Sequence, residues 1–360
     1  MAIKHKIPAY HLRINKAVDR FLLIEALAQL PYVDRKQYRY YGLGGPFLED
    51  FKLLEHYFPE IKKRSYECDD ETYKRQKFNC FSRTIELVKG DMLEGLRETD
   101  GQDYPTVVWF DCTQADSKIF KDYADILSLV SNRSIVKLTM RVGRRMPEDY
   151  GRLESDLLNV INVSIDAHDK LKMEVRNQIK DALKKNVHDC IEDSFPFSRN
   201  MRDIRGLLPL DYECQLKQPQ GPIRMLKCAV EKVIGQVFLP GCGRTFRLLD
   251  ISYYSDGTTM LSVMGAVLDD DNERQFMENF KGTHFYGATW DKMNQIDLPA
   301  LTVEERLKLN KVLPASEDCS AMLKRELGYD LEKDHNDSES EYGMYGKYYR
   351  YYPSFIRADF

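Results

Sequence analysis

The stretch "QYRYYGLGGPFLEDFKLLEHYF", residues 37–58, runs from a polar-aromatic strand pattern through three glycines into the apolar spacing of a helix. Gly42, Gly44 and Gly45 follow directly on a strand predicted over Gln37 to Tyr41, and Pro46 suits the first position of the next helix. Glycines at such a turn let the backbone bend sharply and approach a ligand, while the helix N-terminus presents free amide groups. The same turn also serves as a plain strand-to-helix connection, so its meaning depends on what lies around it.

Towards the N-terminus, Ile14, Ala17, Val18, Phe21, Ile24 and Ala28 recur at helical spacing, interrupted by Glu25, and predict a helix from Ile14 to Gln29. Leu22, Leu23 and Leu27 widen the apolar face in the second half, which leaves Lys16 and Arg20 on the exposed side of the first half. Pro31 stops this helix, because the residue before a proline is pushed out of helical geometry. Towards the C-terminus, further strands are predicted at Arg64 to Glu67, Ile85 to Lys89, Thr106 to Asp111 and Ser134 to Val142, the last preceded by a helix from Lys118 to Val130. Strands alternating with helices at this spacing imply parallel βαβ units, and hence an α/β fold with a doubly wound sheet.

From about residue 148 to 237 the pattern changes to long charged helices, such as Gly151 to Leu158 and Asp166 to Asp189, followed by the loop "LKQPQGP". Then "RTFRLLDISYYSDGTTMLSVMGAVL" reads as two strands joined at Ser255-Asp256-Gly257, an Asp-Gly hairpin turn. Beyond Leu268 an acidic turn and short helices are expected, one opened by a capping box at Thr302 to Glu305. The polar run "EKDHNDSESE" reads as a mobile loop, and the tail "EYGMYGKYYRYYPSFIRADF" interleaves tyrosines with Lys347 and Arg350. The expected division is therefore a domain over residues 12–268, with a helical insertion at about 148–237, and a C-terminal helical and tyrosine-rich extension over 269–360.

Acidic residues recur where the strands end. Glu67 closes the second strand, 25 residues after Gly42, where a carboxylate grips the ribose hydroxyls of an adenosine cofactor. Asp91 follows the third strand in "ELVKGDMLEGL", and Asp111 ends the fourth in "VVWFDCTQ". Ligands of open α/β sheets bind outside the carboxyl ends of the strands, so these positions converge on one crevice. Each of the three taken singly is also compatible with a helix cap or a solvated loop acid.

Composition narrows the alternatives. With 360 residues, 43% of them hydrophobic, the chain can bury a substantial core. Its 53 basic and 57 acidic residues leave a net charge of −4, which gives no bulk attraction to nucleic acid or to an anionic membrane. Eight cysteines without a CxxC pair read as reduced thiols, and with no apolar signal core or spanning run the expectation is a cytoplasmic chain without a membrane partner. The seven histidines show no HxxxH or HxH spacing, so no metal is expected. Neither a Walker loop nor a Gly-x-Ser-x-Gly elbow is present.

The series "YYGLGG", "SYECDD", "VKGDMLEGL" and "VVWFDCTQ", closed by the Asp-Gly hairpin, resembles the Rossmann-like class I S-adenosylmethionine-dependent methyltransferases, and is similar to a bacterial group of O-methyltransferases within them. The resemblance covers residues 12 to 268. It implies that S-adenosyl-L-methionine is the cofactor, with Gly42, Gly44 and Gly45 along its methionine and ribose portion. Glu67 would bind the ribose hydroxyls, Asp91 with Met92 would face the adenine, and Asp111 would lie beside the transferable methyl. Such proteins usually carry an acidic residue two positions before the first glycine, facing the cofactor's amino group, and this chain has Tyr40 there. Lys16 and Arg20 are candidates to pair with the cofactor's carboxylate.

A sulfonium donor is already activated, so the protein's task is to align an acceptor and, where needed, remove a proton. Asp111 is the candidate base or orienting group and Gln114 a hydrogen-bonding partner for the acceptor, while Cys112 is expected to pack beneath the loop. His284 and Tyr286 are alternative acid/base groups. The peptide "DCTQ" lacks the paired prolines and aromatic residue of exocyclic-amine DNA methyltransferases and the Pro-Cys pair of cytosine C5 enzymes, which disfavours those acceptors. The acceptor itself is unidentified. A second reading is a non-catalytic module of a bacterial assembly, with antiphage defence as one candidate setting, that binds an adenosine ligand or a protein partner. The tyrosine tail would supply such an interface or stack on nucleic-acid bases, unless it packs as a covering extension. NAD is a third option that Glu67 would serve equally well, though the closing hairpin counts against it.

Overall fold

The computed structural model describes residues 13–98, 104–112, 114–143, 204–210, 220–314, 318–331 and 335–353. Eight strands form one sheet: β1 (Arg39–Gly42), β2 (Lys62–Glu67), β3 (Ile85–Lys89), β4 (Thr106–Cys112), β5 (Ser134–Gly143), β6 (Arg244–Ser255), β7 (Thr259–Asp269) and β8 (Asn294–Ile296). Their order is β3-β2-β1-β4-β5-β7-β6-β8. The first five pair in parallel, and β7 runs antiparallel to both β5 and β6. β4, "TVVWFDC", is apolar over most of its length because helices cover both faces of a parallel sheet. The doubly wound sheet closing in an antiparallel hairpin is thus the expected fold. β8 adds an edge strand parallel to β6 that its three residues do not announce in sequence.

One face of the sheet is covered by α5 (Met92–Glu98), α6 (Ser117–Leu129) and α7 (Gly221–Val237), packed on Val108, Val136, Leu138 and Val263. The other carries α1 (Ile14–Ala28), α3 (Glu49–Tyr57) and the segment after α8 (Glu273–Glu278), with Tyr40, Val107, Trp109, Phe280 and Phe285 in the core between them. The short α2 (Tyr32–Arg35) links α1 to β1, and α4 (Asp70–Asn79) connects β2 to β3. At the β8 edge, α9 (Val303–Asn310), α10 (Cys319–Leu327) and α11 (His335–Tyr348) close on Val18, Leu22 and Tyr254.

Four expectations need correction or qualification. Pro46 does not open a helix: residues 45–48 form a turn, with Gly45 and Leu48 both at positive φ (52° and 54°), and α3 begins at Glu49. Lys16 and Arg20 are not on an exposed side but are 4% and 6% exposed, because the first half of α1 lies on the sheet against carboxylates described below. The polar run before the tail is helical from His335, as the leading turns of a helix whose second half is anchored by buried Tyr342, Tyr345 and Tyr348. Those rings and Tyr352 are buried, so the tail packs as a covering extension over its described residues. The helices expected at 151 to 158 and 166 to 189 lie outside the described residues. The capping box is present, with Thr302 and Glu305 bonding each other's backbone.

Candidate functional site

The strand order reverses between β1 and β4, and a crevice at such a switch point lies outside the carboxyl ends of the strands. β1 ends at Gly42, and the turn behind it is packed on three sides. A Cβ on Gly44 would come within 2.4 Å of Leu48 Cδ2, 2.7 Å of Ser65 Oγ and 2.9 Å of Phe51 Cε2, so only glycine fits. The Gly44 amide donates to Ser65 Oγ at 3.2 Å, tying the turn to β2. Gly45 faces open space.

On the β2 and β3 side, each acidic residue has a local structural partner. Glu67 closes β2, and its Oε1 accepts the Asp69 amide at 2.9 Å. Asp91 follows β3 and caps α5, its Oδ1 accepting the amides of Leu93 (2.8 Å) and Glu94 (3.3 Å). The cap was among the sequence alternatives, and it leaves Oδ2 outside those bonds. Met92 is buried with Leu93 and Leu96 in the core.

The other side of the crevice is a layer of charged groups under α1. Lys16 Nζ pairs with Asp111 Oδ2 at the end of β4. Arg20 Nε pairs with Asp50 Oδ1 at 2.6 Å. Burial by itself would lower the Arg20 pKa, but the charge and hydrogen bond of Asp50 carry it above its usual value. Burial pushes the Asp50 carboxyl up, opposed by Arg20 and Lys16. Deeper in the layer, Lys137 Nζ on β5 bonds Asp19 Oδ1 at 2.7 Å and the Asp19 carbonyl at 2.6 Å, with both side chains almost fully buried. Trp109 lies beneath two ammonium groups, its ring centroid 4.6 Å from Lys137 Nζ and 5.5 Å from Lys16 Nζ, and its indole N–H donates to Thr139.

The N-terminus of α1 has no side-chain cap of its own. The hairpin supplies one: Asp256 Oδ1 accepts the Asn15 amide at 3.2 Å and Oδ2 the Lys16 amide at 2.8 Å. This bond sets the register in which Lys16 and Arg20 reach their carboxylates.

Tyr40 is fully buried, and its hydroxyl has no hydrogen-bond partner. A Cβ on Gly42 would come within 2.6 Å of that oxygen, so the hydroxyl lies against the first glycine of the turn. Burial foremost, then Asp50 and Asp111, holds the phenol well above its usual pKa, and it is neutral.

The structure therefore brings Lys16, Arg20, Tyr40 and Asp111 together, and sets Gly42, Gly44, Gly45, Glu67 and Asp91 along the same end of the sheet. Gln114 is exposed on the loop after β4. Cys112 is buried, which pushes its thiol well above the usual range. His284 and Tyr286 flank the core residue Phe285 in the segment after α8; desolvation and the charge of Lys347 lower the His284 pKa, and no described contact joins either residue to Asp111. Sequence reasoning missed Asp50, Asp19 and Asp256. Asp50 reads there as an ordinary first-turn helix acid, Asp256 as a hairpin-turn residue and not as a helix cap, and nothing local marks Asp19. Among the described residues, no cluster of three or more His, Cys, Asp or Glu suits a metal ion, and no helix is long and apolar enough to cross a membrane.

A family model described as "Putative O-methyltransferase" matches residues 8–360. Among solved structures, the chain is similar to Trm1 from Pyrococcus horikoshii in complex with S-adenosyl-L-methionine, at 11% identity and a TM-score of 0.38 over 74% of this chain and 57% of that one. It is also similar to a "putative O-methyltransferase" from Klebsiella pneumoniae, at 10% identity and a TM-score of 0.35 over 74% and 83% of the two chains. No sequence among the curated proteins matches.

Proposed function

The chain belongs to that O-methyltransferase family, and from this premise we propose that it transfers the methyl group of S-adenosylmethionine to an oxygen or other nucleophile of an acceptor bound at the carboxyl ends of β1, β2 and β4. The observation that carries the reading is the switch-point crevice, where the glycine turn, Glu67 and Asp111 stand at the ends of three adjacent parallel strands.

The residues present fit the cofactor. Gly45 leaves room beside the turn, Glu67 and Asp91 each keep a carboxylate oxygen outside their local bonds, and Tyr40 offers an unbonded hydroxyl. In this reading Gly42, Gly44 and Gly45 line the methionine and ribose portion, Glu67 holds the ribose hydroxyls, and Asp91 and Met92 stand at the adenine. Lys16 and Arg20 serve the carboxylate. The cofactor, when bound, supplies a methyl group on a positively charged sulfur, which needs no further activation. Asp111 orients the acceptor and receives its proton, Lys16 holds that carboxylate in place, and Gln114 hydrogen-bonds the acceptor from the exposed loop. The reading assigns residues 12–268 to the methyltransferase domain and 269–360 to a covering extension. Burial of the tail tyrosines removes the support they lent to a non-catalytic binding module.

Transfer of a labelled methyl group into cell extract tests the proposal. Asp111→Asn should remain folded and bind cofactor, while lowering turnover by about 10²-fold or more, as loss of a general base does. Equal labelling by both proteins would remove Asp111 from the chemistry. Cofactor binding without any labelling would overturn the catalytic reading.

A further inference from the structure

We propose that α4, the loop after it and β3 form a dock for single-stranded nucleic acid at the edge of the sheet, with a base seated in a pocket there and the phosphates running over the cations beside it. The dock is separate from the methyl-transfer crevice. Cys80 to Arg83 lead into the amino end of β3, whereas the glycine turn, Glu67 and Asp111 stand at the carboxyl ends of their strands.

The pocket holds about 550 Å³, a size that accepts a small ligand or one part of a larger one. Tyr73, Phe81, Ile85 and Leu87 give it aromatic and aliphatic walls, and Lys77 and Arg83 bring two cations to it. Tyr73 is held in place, its hydroxyl donating to the Leu87 carbonyl at 3.3 Å and its ring centroid 4.9 Å from Lys77 Nζ. Phe81 is 46% exposed, and Phe78 on α4 is 90% exposed. Two phenylalanine rings three positions apart are thus left in water beside a pocket, the setting of an interaction site rather than of scattered surface residues. The flat apolar face of a base covers such a ring whatever the sequence.

Charge narrows the partner further. From Tyr73 to Ile85 the chain carries Lys74, Arg75, Lys77 and Arg83 and no acidic residue, in a protein whose net charge is −4. Glu55, Glu71 and Glu86 adjoin this stretch, and each has a cation of its own: Lys63 at 2.8 Å, Lys74 at 2.6 Å and Arg64 at 2.7 Å. Arg75, Lys77 and Arg83 are left without an ion pair among the described residues. Cations interleaved with exposed rings match a strand in which phosphates and bases alternate. A duplex keeps its bases stacked on one another and offers the rings nothing, and an acidic peptide answers the charges without the rings. Phe78 and Arg75 stand outside the pocket wall, so a chain longer than one nucleotide is needed to engage them.

Fluorescence anisotropy of the full chain with a labelled DNA strand of about 12 nucleotides and mixed sequence, the same sequence as RNA, and the DNA duplex tests the dock. Both single strands should bind more tightly than the duplex, and neither polyglutamate nor saturating S-adenosylhomocysteine should displace them. Phe78→Ala should weaken single-strand binding by about five- to hundredfold, the range of one lost stack. The triple variant Arg75→Gln/Lys77→Gln/Arg83→Gln should flatten the dependence of log affinity on log salt by about two, at about 0.7 for each phosphate contact removed. All four side chains are exposed, so both variants should keep the wild-type melting temperature and affinity for S-adenosylhomocysteine, and either carries the test if the other does not fold. Absence of strand binding, equal binding of the duplex, displacement by polyglutamate or by S-adenosylhomocysteine, or wild-type binding in a folded variant overturns the dock. Failure to bind S-adenosylhomocysteine, with strand binding intact, would instead count against the methyl-transfer reading and leave the dock standing.

Discussion

Replacing Asp256 by alanine should loosen α1 and, through it, the charged layer of the crevice. Two amide donors, Asn15 N and Lys16 N, lose their acceptor together, and Arg13 at the N-cap offers no replacement. Losing a side-chain cap costs about 0.5–2 kcal/mol. The buried setting of the amides argues for the upper part of that range, while the desolvation that pushes the Asp256 carboxyl up offsets part of it. A net loss of about 1–2 kcal/mol should lower the melting temperature by about 1–3 °C in a chain of this size. Asp256→Asn, which keeps one acceptor oxygen without the charge, should fall between wild type and Asp256→Ala. Differential scanning fluorimetry gives the melting temperatures, and titration with S-adenosylhomocysteine reads the effect on Lys16 and Arg20. An unchanged melting temperature in Asp256→Ala would refute the account, since it would mean that water satisfies the two amides as well as the hairpin does.

Three further outcomes follow from buried groups. Gly44→Ala drives a methyl into Leu48, Ser65 and Phe51, and thermal denaturation should show a loss of about 1–3 kcal/mol, the usual cost of overpacking. Lys137→Met strands the Asp19 carboxylate and should cost about 3–5 kcal/mol by urea unfolding, whereas the Asp19→Asn/Lys137→Met double variant should recover most of it. Burial holds the Asp250 carboxyl above its usual range, against the charge of Lys137 and a hydrogen bond from Asn294. The folded chain therefore binds that proton more tightly than the unfolded one, and Asp250's contribution to stability falls as pH rises from about 3.9 through the raised folded value. Asp250→Asn should lose this slope, so urea unfolding at several pH values should show the variant gaining on wild type as pH rises; the opposite trend would show that Lys137 outweighs burial.

Local pattern alone located the strands of the sheet except the short β8. The bounds expected for the strand of Ile85 to Lys89 are those observed, and the hairpin at Ser255 to Gly257 forms where an Asp-Gly pair calls for it, because strand alternation and turn chemistry act over a few residues. The acids at the strand ends were legible for the same reason, since each stands just past an apolar run. Tertiary structure decided what the charges of α1 do. Lys16 and Arg20 look like a solvated helix face, yet they are buried because Asp111, 95 residues away, and Asp50, 30 residues away, offer carboxylates that make burial tolerable. The helix that carries them is capped by Asp256 from 240 residues further along the chain. Helical periodicity reports which side chains share a face but not what faces them, and ion pairs between distant segments leave no spacing in the sequence. The fold was therefore readable from the chain in order, while the arrangement of charge in the crevice existed only once the sheet had brought α1, β4 and the hairpin together.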